Sequence, residues 1–594
     1  MGLLKELDIK EVIELFPSAK IGQYVEWVKS AYSQRTTATK AEVEAAVAKE
    51  RDAERRKKET ALEDEFWHPQ DLWNETATKE ISVPIGKDNH GNVVAFDLND
   101  SVPHCLLAGQ SGSGKSVLLH VIIQGLAHRY SPEELEFYLM DYKDGVEFNR
   151  YAKYQIPHTR LVVASKAEAE YGITVLEYLQ NELTSRNELF TDHDVSNFTE
   201  YREKGQPLSR ILLIVDEFQV LFQQSDAVTA KVNALLGDIL SRGRSAGIHL
   251  LLSTQSAKVL VPVAGFAGVK ERLVSRIALA SSRDDSEYIL GTPGCGNYAA
   301  DELRRENTND MRYGILNTEG GYKEGNTKFL IPFPTRDKCD KHQMFLAEQY
   351  GTMPKEIKVF NGNELPPLPA PQWFSDYSGQ MVLGEQFNFE AAPFAFQWER
   401  RMGNNLCVAG INEVIRQGIL HSMLSSIRHG NHHFDRVIYY NSGNSPAINL
   451  HGFAVETENQ DWDCNIEELT NDLRHQQILL IIDSLDSARP FHPPAFSASG
   501  AKPVSPADSL KILLDQGPQN GSFVLAFVDN WKRFNTTCRD YIRNFEMYIG
   551  FQLNEEDVSA LVAGREKVFD KPNKAIFVDR QQSVKTVFRP FVVR

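Results

Sequence analysis

The feature that most constrains the fold is a glycine-rich loop between two apolar runs of different length. The loop, Gly109–Ser116, reads GQSGSGKS and matches the pattern G-x-x-x-x-G-K-S/T at every position. The run before it, His104–Ala108, is typical of a buried strand, and the run after it, Ser116–Ala127, is typical of a helix. A strand, a tight glycine turn and a helix in this order begin an α/β unit. The sequence therefore predicts a phosphate-binding loop at a helix N-terminus.

The residue types of this loop suit the phosphates of ATP together with Mg²⁺. Glycines let the backbone curl so that several N–H groups face the phosphates, and the helix N-terminus adds positive potential. We predict that Lys115 places its ammonium on the β- and γ-phosphates and that Ser116 offers its hydroxyl to Mg²⁺. The predicted nucleotide-binding residues are Gly109, Gln110, Ser111, Gly112, Ser113, Gly114, Lys115, Ser116 and Val117.

A pair of carboxylates follows another apolar run further along the chain. The segment Arg210–Phe218 reads RILLIVDEF, so the run ends in Asp216 and Glu217. We predict that Asp216 holds Mg²⁺ through its water shell and that Glu217 orients and deprotonates the attacking water. Such a pair also fits an ordinary strand end or a helix N-cap, but the phosphate-binding loop upstream favours the catalytic role.

A third block combines arginines with polar groups at a strand end. A predicted helix carries Arg242 and Arg244 and leads through Gly247 into the run Ile248–Ser253. If this strand neighbours the strand that ends in Asp216, its polar end lies beside the γ-phosphate, because ligands of open α/β sheets bind at the carboxyl ends of strands. Gln255 is then a candidate γ-phosphate sensor. The alternative is a polar strand end that contacts no ligand.

Apolar runs and helical stretches alternate through the first half of the chain, which is typical of an α/β fold. The runs are His104–Ala108, Glu136–Met140, Arg210–Val215, Ile248–Ser253 and Arg276–Ala280. Runs that are apolar throughout predict a parallel sheet buried on both faces. After the proline-rich stretch ELPPLPAPQW the same texture begins again.

We divide the chain into four regions on this basis. They are an α-helical N-terminal region over 1–75, an active nucleotide-binding module over 76–345, a proline-rich linker over 346–375 and a second, degenerate module over 376–594. Residues 39–65 mix charges of both signs, which indicates a solvated helix or a short coiled coil. A stalk that docks a partner is the alternative interpretation of this segment.

Charge and cysteine content restrict the partners and the compartment. A net charge of −16 means that the average surface repels nucleic acid, so DNA binding requires a local patch such as the pore of a ring. The 6 cysteines include no C-x-x-C pair, which favours a reducing cytoplasm over a disulfide framework or a zinc site. Without an apolar run of about eighteen residues, we expect a cytoplasmic chain that has no membrane segment.

The blocks of the first module resemble the FtsK/SpoIIIE family, which includes DNA translocases and the EccC ATPases of type VII secretion. In chain order they are VPIG, the loop, LMDYKDGVEF, IPHT, ELTSRNELF, LLIVDEF, AGIHLLLSTQ and SRIALASSRDDSEYILG. The loop is common to many P-loop NTPases, whereas AGIHLLLSTQ and the last block are much more selective. The resemblance implies a RecA-like fold, ATP bound between subunits, and a homo-oligomeric ring that is usually a hexamer.

The resemblance also implies an arginine that reaches the nucleotide from the neighbouring subunit. The candidates are Arg186, Arg242, Arg244 and Arg276. The predicted catalytic set is Lys115, Glu217, Gln255, Arg242 and Arg244. The sequence departs from the translocases after Gly291, where a longer stretch follows, and we identify no winged-helix DNA-reading domain. The tandem arrangement is more like that of the EccC branch.

The second module is predicted to be a silenced copy of the first. CVAGINEVIRQGILHSML aligns with LLAGQSGSGKSVLLHVII, so Arg416 replaces Lys115 and Gln417 replaces Ser116. LLIIDSL aligns with LLIVDEF, which keeps an aspartate but changes Glu217 to Ser484. Turn glycines and the apolar pattern persist while the chemical groups are lost. We therefore expect the fold to be retained and turnover to be absent.

Two functions fit these observations. The first is a motor that hydrolyses ATP to translocate along double-stranded DNA, with a basic pore segment at Ala257–Arg272 whose channel-lining cations are Lys258, Lys270 and Arg272. The second is an EccC-like ATPase for protein export or complex assembly, with a protein partner on the degenerate module or the N-terminal helices. A surface loop is the alternative for the pore segment. A scaffold that only holds ATP is disfavoured by Glu217.

Overall fold

The computed structural model describes 67–593 with several internal gaps, and it divides the chain into two compact units, Met1–Phe360 and Asn361–Arg594. The gaps are 144–146, 165–168, 224, 292–293, 309–310, 352–355, 363, 443–449, 451–452, 459–475, 493–504 and 563–572. Most of the predicted N-terminal helical region therefore lies outside the described residues.

The first unit contains one large mixed sheet. Its strands are β1 (Ile81–Asp88), β2 (Val93–Leu98), β3 (Cys105–Ala108), β4 (Leu135–Asp141), β5 (Thr159–Ala164), β6 (Arg210–Asp216), β7 (Ile248–Thr254), β8 (Ser275–Leu279), β9 (Tyr313–Asn317), β10 (Asn326–Leu330) and β11 (Lys358–Phe360). Their order is β11-β5-β4-β6-β7-β3-β8-β9-β10-β1-β2. The strands from β11 to β8 are parallel, and the remaining pairs are antiparallel.

Helices connect the parallel strands of this unit. They are α1 (Lys115–Arg129), α2 (Asn149–Lys153), α3 (Ala169–Asp192), α4 (Phe198–Glu203), α5 (Asp226–Ala246), α6 (Phe266–Arg272), α7 (Arg283–Ile289), α8 (Ala299–Glu306) and α9 (Arg336–Tyr350). Every residue of β4, β6 and β7 is buried, as expected for strands covered by helices on both faces. β1 and β2 form an antiparallel pair.

The strand order places the predicted site at one edge of the sheet. β3, which precedes the glycine loop, lies between β7 and β8, and β6 lies on the other side of β7. The carboxyl ends of β3, β6 and β7 therefore meet at the same edge, where parallel α/β sheets bind ligands.

The second unit repeats this arrangement on its own sheet. Its strands are β12 (Met381–Gln386), β13 (Pro393–Phe396), β14 (Asn405–Ala409), β15 (Arg436–Tyr440), β16 (Glu456–Glu458), β17 (Ile478–Ile482), β18 (Phe523–Val528), β19 (Phe545–Gly550), β20 (Ala575–Asp579) and β21 (Val584–Pro590). The helices include α10 (Glu413–His429), α11 (Pro506–Gln516), α12 (Trp531–Thr537) and α13 (Glu555–Val562). In the order β13-β12-β21-β20-β19-β14-β18-β17-β15-β16, β18 separates β14 from β17 as β7 separates β3 from β6.

The ends of the two units fall within the stretch that the sequence marks as a linker. α9 ends at Tyr350, and β11 pairs in parallel with β5, so the first sheet gains an edge strand close to the unit boundary. A 3-10 helix over Pro371–Tyr377 follows in the second unit. Among the described residues, no helix is both long and apolar enough to cross a membrane.

Candidate nucleotide-binding site

The glycine loop is an open cradle of backbone N–H groups. Gly112 and Gly114 have φ angles of 80° and 102°, the left-handed region that favours glycine. The start of the loop is fixed because Gly109 N–H donates to the Thr254 carbonyl at 3.2 Å and Gln110 N–H donates to the Ala280 carbonyl at 3.1 Å. Since α1 begins at Lys115, the N–H groups of its first turn have no partner within the helix and are available to an anion.

Lys115 joins the loop to the carboxylates at the end of β6. Its ammonium contacts Asp216, and its Nζ lies 2.8 Å from Glu217 Oε1. Ser253 at the end of β7 donates from Oγ to Asp216 Oδ1 at 2.7 Å. All four side chains are buried, so the electrostatic interactions among them are stronger than in water. The structure thus brings together Lys115, Asp216 and Glu217 as the sequence predicts.

Glu217 is held by its backbone conformation and by neighbouring amides. It has a φ of 57°, and its Oε2 accepts hydrogen bonds from Gln219 Nε2 at 2.6 Å and from Gln255 N–H at 3.3 Å. Burial disfavours its charged form, but the Lys115 ammonium together with the hydrogen bonds from Gln219 and Gln255 outweighs burial, so the pKa of Glu217 is below its usual value. Gln255 therefore reaches the Glu217 carboxylate through its backbone. Its predicted role as a γ-phosphate sensor stays a prediction.

An additional carboxylate lies beside Asp216. Asp141 ends β4, and it pairs in register with Asp216 on the neighbouring strand. Its side chain is buried and its Oδ2 accepts no hydrogen bond from the described residues, while burial raises the pKa of the carboxyl group. An oxygen donor set of Ser116, Asp216 and Asp141 with one unsatisfied oxygen fits a hydrated Mg²⁺. Sequence reasoning missed Asp141, although LMDYKDGVEF places an aspartate at this strand end.

The corresponding loop of the second unit is closed. α10 begins at Glu413, so Arg416 is the fourth helical residue, whereas Lys115 is the first residue of α1. The side chain of Asn412 caps this earlier helix start by accepting from Ile415 N–H at 3.2 Å. Residues that form a glycine cradle in the first unit are therefore helical in the second.

Arg416 occupies this closed site with internal ion pairs. Its guanidinium contacts both Asp483 at the end of β17 and Asp529 after β18, and its side chain is only 2% exposed. Ser484, the counterpart of Glu217, has a φ of 52° against 57° for Glu217, so the same turn persists without the carboxylate. At the positions of Lys115 and Glu217, the second unit thus has an arginine held in two ion pairs and a serine, and its lack of turnover stays a prediction.

Comparison with known proteins finds a family match within the first unit. Residues 69–212 match the FtsK/SpoIIIE family. This chain contains an FtsK/SpoIIIE family domain. It is 33% identical over 283 residues to the DNA translocase FtsK of Caldanaerobacter subterraneus and 36% identical over 220 residues to that of Clostridium tetani. It is 29% identical over 236 residues to the type VII secretion system protein EssC of Staphylococcus aureus.

These matches cover only part of each protein. The two FtsK alignments include 47% and 36% of this chain and 36% and 28% of the relatives, and the EssC alignment includes 37% of this chain and 15% of EssC. The chain thus spans about a third or less of the length of these relatives.

Solved structures of related folds match both units. The cytoplasmic domain of EccC from Thermomonospora curvata has a TM-score of 0.61 at 20% identity, and the match covers 88% of this chain and 65% of that one. ATPases 2 and 3 of EssC from Geobacillus thermodenitrificans have a TM-score of 0.54 at 15% identity, covering 89% of this chain and 99% of that one. The predicted α/β class with tandem modules is confirmed, and the fold is consistent with a RecA-like P-loop core.

The arginines suggested by the FtsK/SpoIIIE resemblance fall into two groups. Arg186 and Arg276 are buried and donate to backbone carbonyls of their own unit, which is typical of structural arginines. Arg242 pairs with Asp238 on its own helix, and Arg244 donates to the Asp100 carbonyl at 3.2 Å. Both are exposed and lie outside the Lys115 cluster of their own chain. Their action on a neighbouring subunit therefore stays a prediction.

The predicted pore segment, Ala257–Arg272, offers fewer free cations than its sequence suggests. Lys270 is buried, donates to the Gly291 carbonyl at 2.6 Å and lies over the ring of Tyr288. The interpretation of Lys270 as a channel-lining cation is therefore wrong for this conformation, because the side chain satisfies its charge inside the unit. Lys258 is exposed but pairs with Asp284.

Arg272, the third cation of this segment, is exposed and donates from Nη1 to the Gly268 carbonyl of its own helix at 2.6 Å. The most exposed apolar side chains of the segment are Val259 and Val261, at 51% and 52%. The accessible surface of the segment therefore includes one lysine in an ion pair and one arginine that donates to its own helix. It also includes the two exposed valines.

Proposed function

We propose that the first unit binds ATP with Mg²⁺ and hydrolyses it. The observation that carries the proposal is the convergence of Lys115, Asp216 and Glu217 beside an open glycine cradle at the carboxyl edge of the sheet. Mg²⁺, when bound, neutralises charge on the phosphates. Ser116 and Asp216 would hold it, with Asp141 in the same oxygen-rich corner.

Glu217 becomes able to act as a base when Lys115 moves from the carboxylates to the phosphates. Before nucleotide binds, the Lys115 ammonium is paired with both carboxylates, which makes Glu217 a weak base. Phosphates in the cradle compete for that ammonium. Once Lys115 turns to them, burial is the main influence left on Glu217 and raises its affinity for a proton. Glu217, still oriented by Gln219 and Gln255, then accepts the proton of the attacking water.

We propose that the protein acts as a homo-oligomeric ring that uses ATP hydrolysis to move along double-stranded DNA. Double-stranded DNA is thus the first candidate substrate. Relatives named DNA translocase FtsK are more similar to the first unit, at up to 36% identity, than EssC is at 29%. A net charge of −16 requires that DNA meet a local group of cations. Within the pore segment, the exposed cations Lys258 and Arg272 are the candidates that remain once Lys270 is excluded.

A protein load coupled through the second unit is the second candidate. Ile411 and Val414 are 70% and 56% exposed at the closed loop, where an active module would bind phosphates. Exposed apolar side chains on a site that has lost its nucleotide groups favour a peptide or protein partner. A structural neighbour of both units, EccC of Thermomonospora curvata with a TM-score of 0.52, was solved in complex with a signal sequence peptide.

The ATPase rate at low salt, with and without long duplex DNA, tests these candidates. A DNA motor is stimulated by DNA, and the stimulation falls steeply with salt because phosphate contacts release counterions. Arg272→Ala should reduce the stimulation while basal hydrolysis is kept. If DNA does not change the ATPase rate of a sample that is confirmed to be oligomeric, the DNA candidate is contradicted. In the protein candidate, a partner changes the ATPase rate of the wild-type protein. A double variant, Ile411→Asp and Val414→Asp, that keeps its basal hydrolysis but no longer responds to the partner supports this candidate.

A further inference from the structure

A buried carboxylate, Asp285 on α7, connects the two chain segments that anchor the glycine loop. The loop is anchored by the carbonyls of Thr254, at the end of β7, and Ala280, just after β8. A serine lies two residues beyond each anchor. Ser256 Oγ donates to Asp285 Oδ1 at 2.7 Å, and Ser282 Oγ donates to Asp285 Oδ2 at 2.7 Å. Each oxygen of the carboxylate therefore binds a different one of these segments.

The turn that follows β7, Thr254–Lys258, has a further bond to the same carboxylate. Lys258 N–H donates to Asp285 Oδ1 at 3.0 Å. Within the turn, Thr254 Oγ1 donates to the Ser256 carbonyl at 3.1 Å. Asp285 is only 8% exposed, so these donors replace water around its carboxylate, and hydrogen bonds to a charged group are among the strongest in proteins. The turn is therefore firmly attached to α7.

The attached turn carries the Gln255 N–H, which donates to Glu217 Oε2 at 3.3 Å. The residues on both sides of Gln255 are bonded elsewhere. The Thr254 carbonyl accepts from the glycine loop, and Ser256 donates to Asp285. Because both neighbours are held, the Gln255 N–H keeps its place on the Glu217 carboxylate. Small displacements at such a carboxylate matter, because catalysis depends on precise placement of the reacting groups.

We propose that Asp285 is a positioning residue, which attaches the turn to α7 and thereby holds the Gln255 N–H on Glu217 for hydrolysis. The proposal rests on the ATP hydrolysis proposed above. Asp285 acts through the turn and not on the reacting atoms. Without it, the turn would keep its bond to the glycine loop but lose its attachment on the other side of Gln255.

The second unit caps the corresponding helix in the same way but holds its turn differently. Asp557 is the third residue of α13, as Asp285 is of α7, and its N–H donates to Asn554 Oδ1 at 2.9 Å. The turn after β18 is bonded to Asp486, which accepts from the Asp529 N–H at 3.0 Å. Among the described residues, a carboxylate at this helix position thus serves capping in both units, and the bonds of Asp285 to the turn are additional.

Amide hydrogen exchange of the full-length protein without nucleotide tests the attachment itself. In Asp285→Ala the Lys258 N–H loses its acceptor and the Ser256 hydroxyl loses its partner. We expect exchange in peptides that cover 253–260 to become about 10- to 100-fold faster, which corresponds to the loss of a hydrogen bond to a charged group. Asp285→Asn keeps an acceptor oxygen for the turn and presents an N–H donor to Ser282, so it should accelerate exchange less.

Steady-state kinetics tests the consequence for hydrolysis. Asp285→Ala should lower kcat by about 10- to 100-fold, the scale of a small misplacement in an active site. ADP affinity should stay at the wild-type value, because the glycine loop and Lys115 bind the phosphates. Asp285→Asn should recover most of the lost rate. A loss confined to kcat and relieved by the asparagine distinguishes positioning from general destabilisation.

Two control variants on α7 separate this role from a structural effect. Asp284→Asn removes the neighbouring exposed carboxylate, which pairs with the Lys258 side chain, and it should leave exchange and kcat unchanged. Ser282→Ala removes the cap of α7 while both bonds to the turn remain, so it should lower stability but reduce kcat less than Asp285→Ala.

The outcomes decide the proposal in either direction. Wild-type exchange and kcat in Asp285→Ala would overturn it, and so would an equal loss of kcat in Ser282→Ala. If Asp285→Ala does not fold, Ser256→Ala replaces it, because this variant removes one bond of the turn and leaves the buried carboxylate with two partners. Wild-type exchange and kcat in Ser256→Ala would then overturn the proposal. A wild-type protein that does not hydrolyse ATP contradicts the proposed function, whereas hydrogen exchange still decides the attachment of the turn.

Discussion

The two units share a strand–turn–helix element and differ in where its helix begins. In the first unit the glycine loop is followed by α1 at Lys115, and in the second the helix begins at Glu413, three residues before the aligned Arg416. The cation is buried in both and paired with a strand-end aspartate in both. In the second unit the helix thus extends over positions that form the loop in the first, while the ion pair between a cation and a strand-end aspartate is kept.

The ion pairs of Lys115 and Arg416 also differ in geometric rigidity. Arg416 contacts two aspartates from different strands, and both bonds use the fixed fork of the guanidinium. Lys115 is a point charge on a flexible stem, and it contacts two adjacent residues at one strand end. Lys115 can therefore turn to phosphates, whereas Arg416 stays with its carboxylates.

Substitution of the two arginines that have no counterpart in the second unit should have the largest effect on ATPase activity. Gln516 and Pro518 align with Arg242 and Arg244. If either arginine reaches a neighbouring site, Arg242→Gln or Arg244→Gln should lower ATPase activity by roughly 10³- to 10⁵-fold. Mixing the defective arginine variant with Lys115→Ala chains should restore some hydrolysis. Specific activity that is constant down to monomeric concentrations would contradict a shared site.

The carboxylate lost in the second unit gives the next largest effect. Glu217→Gln should bind ATP and hydrolyse it at least about a hundredfold more slowly, because the general base is removed. Lys115→Ala should abolish binding or hydrolysis. Initial rates and nucleotide affinity measured on the same preparations separate the two defects. Undiminished turnover in Glu217→Gln would exclude the assigned base.

Arg416→Ala should affect stability rather than turnover. It leaves Asp483 buried without its guanidinium partner, and breaking a buried pair costs about 3–5 kcal/mol. Chemical denaturation should detect this loss in the second unit, while the ATPase rate changes little. Arg416→Lys is the matched control, because it keeps one charge and should be less destabilising. Turnover that depends on Arg416 and survives Lys115→Ala would show that the second unit is the active one.

A pH dependence specific to the first unit is the smallest expected effect. The lowered pKa of Glu217 adds stability that is fully present above its unfolded pKa and is lost as pH falls through the lower folded pKa. Lys115→Met removes the cation that opposes burial, so the pKa of Glu217 should rise in the folded state and the acid-dependent loss of stability in the first unit should shrink or reverse. The second unit has Ser484 at this position and provides the internal reference. Identical acid transitions in wild type and Lys115→Met would contradict the assignment.

Much of the site could be predicted because its signals are local. The glycine loop, the strand-end carboxylates and the apolar runs each lie within a few residues of one another in sequence. Asp141 was missed because a single carboxylate at a strand end carries no signal until the neighbouring strand is known. Lys270 was misjudged because sequence shows that a lysine is present but not that the Gly291 carbonyl and the Tyr288 ring lie within its reach.

The sequence by itself determined the α/β class, the repeat and the phosphate-binding loop, because glycine patterns and hydrophobic periodicity act over short distances. The position of β7 between β3 and β6 depends on the tertiary structure. This strand order determines which side chains meet. The pairing of Lys115 with Glu217 joins residues far apart in the chain. So does the closure around Arg416. Such contacts depend on sheet order and burial, and these arise only when the whole unit packs.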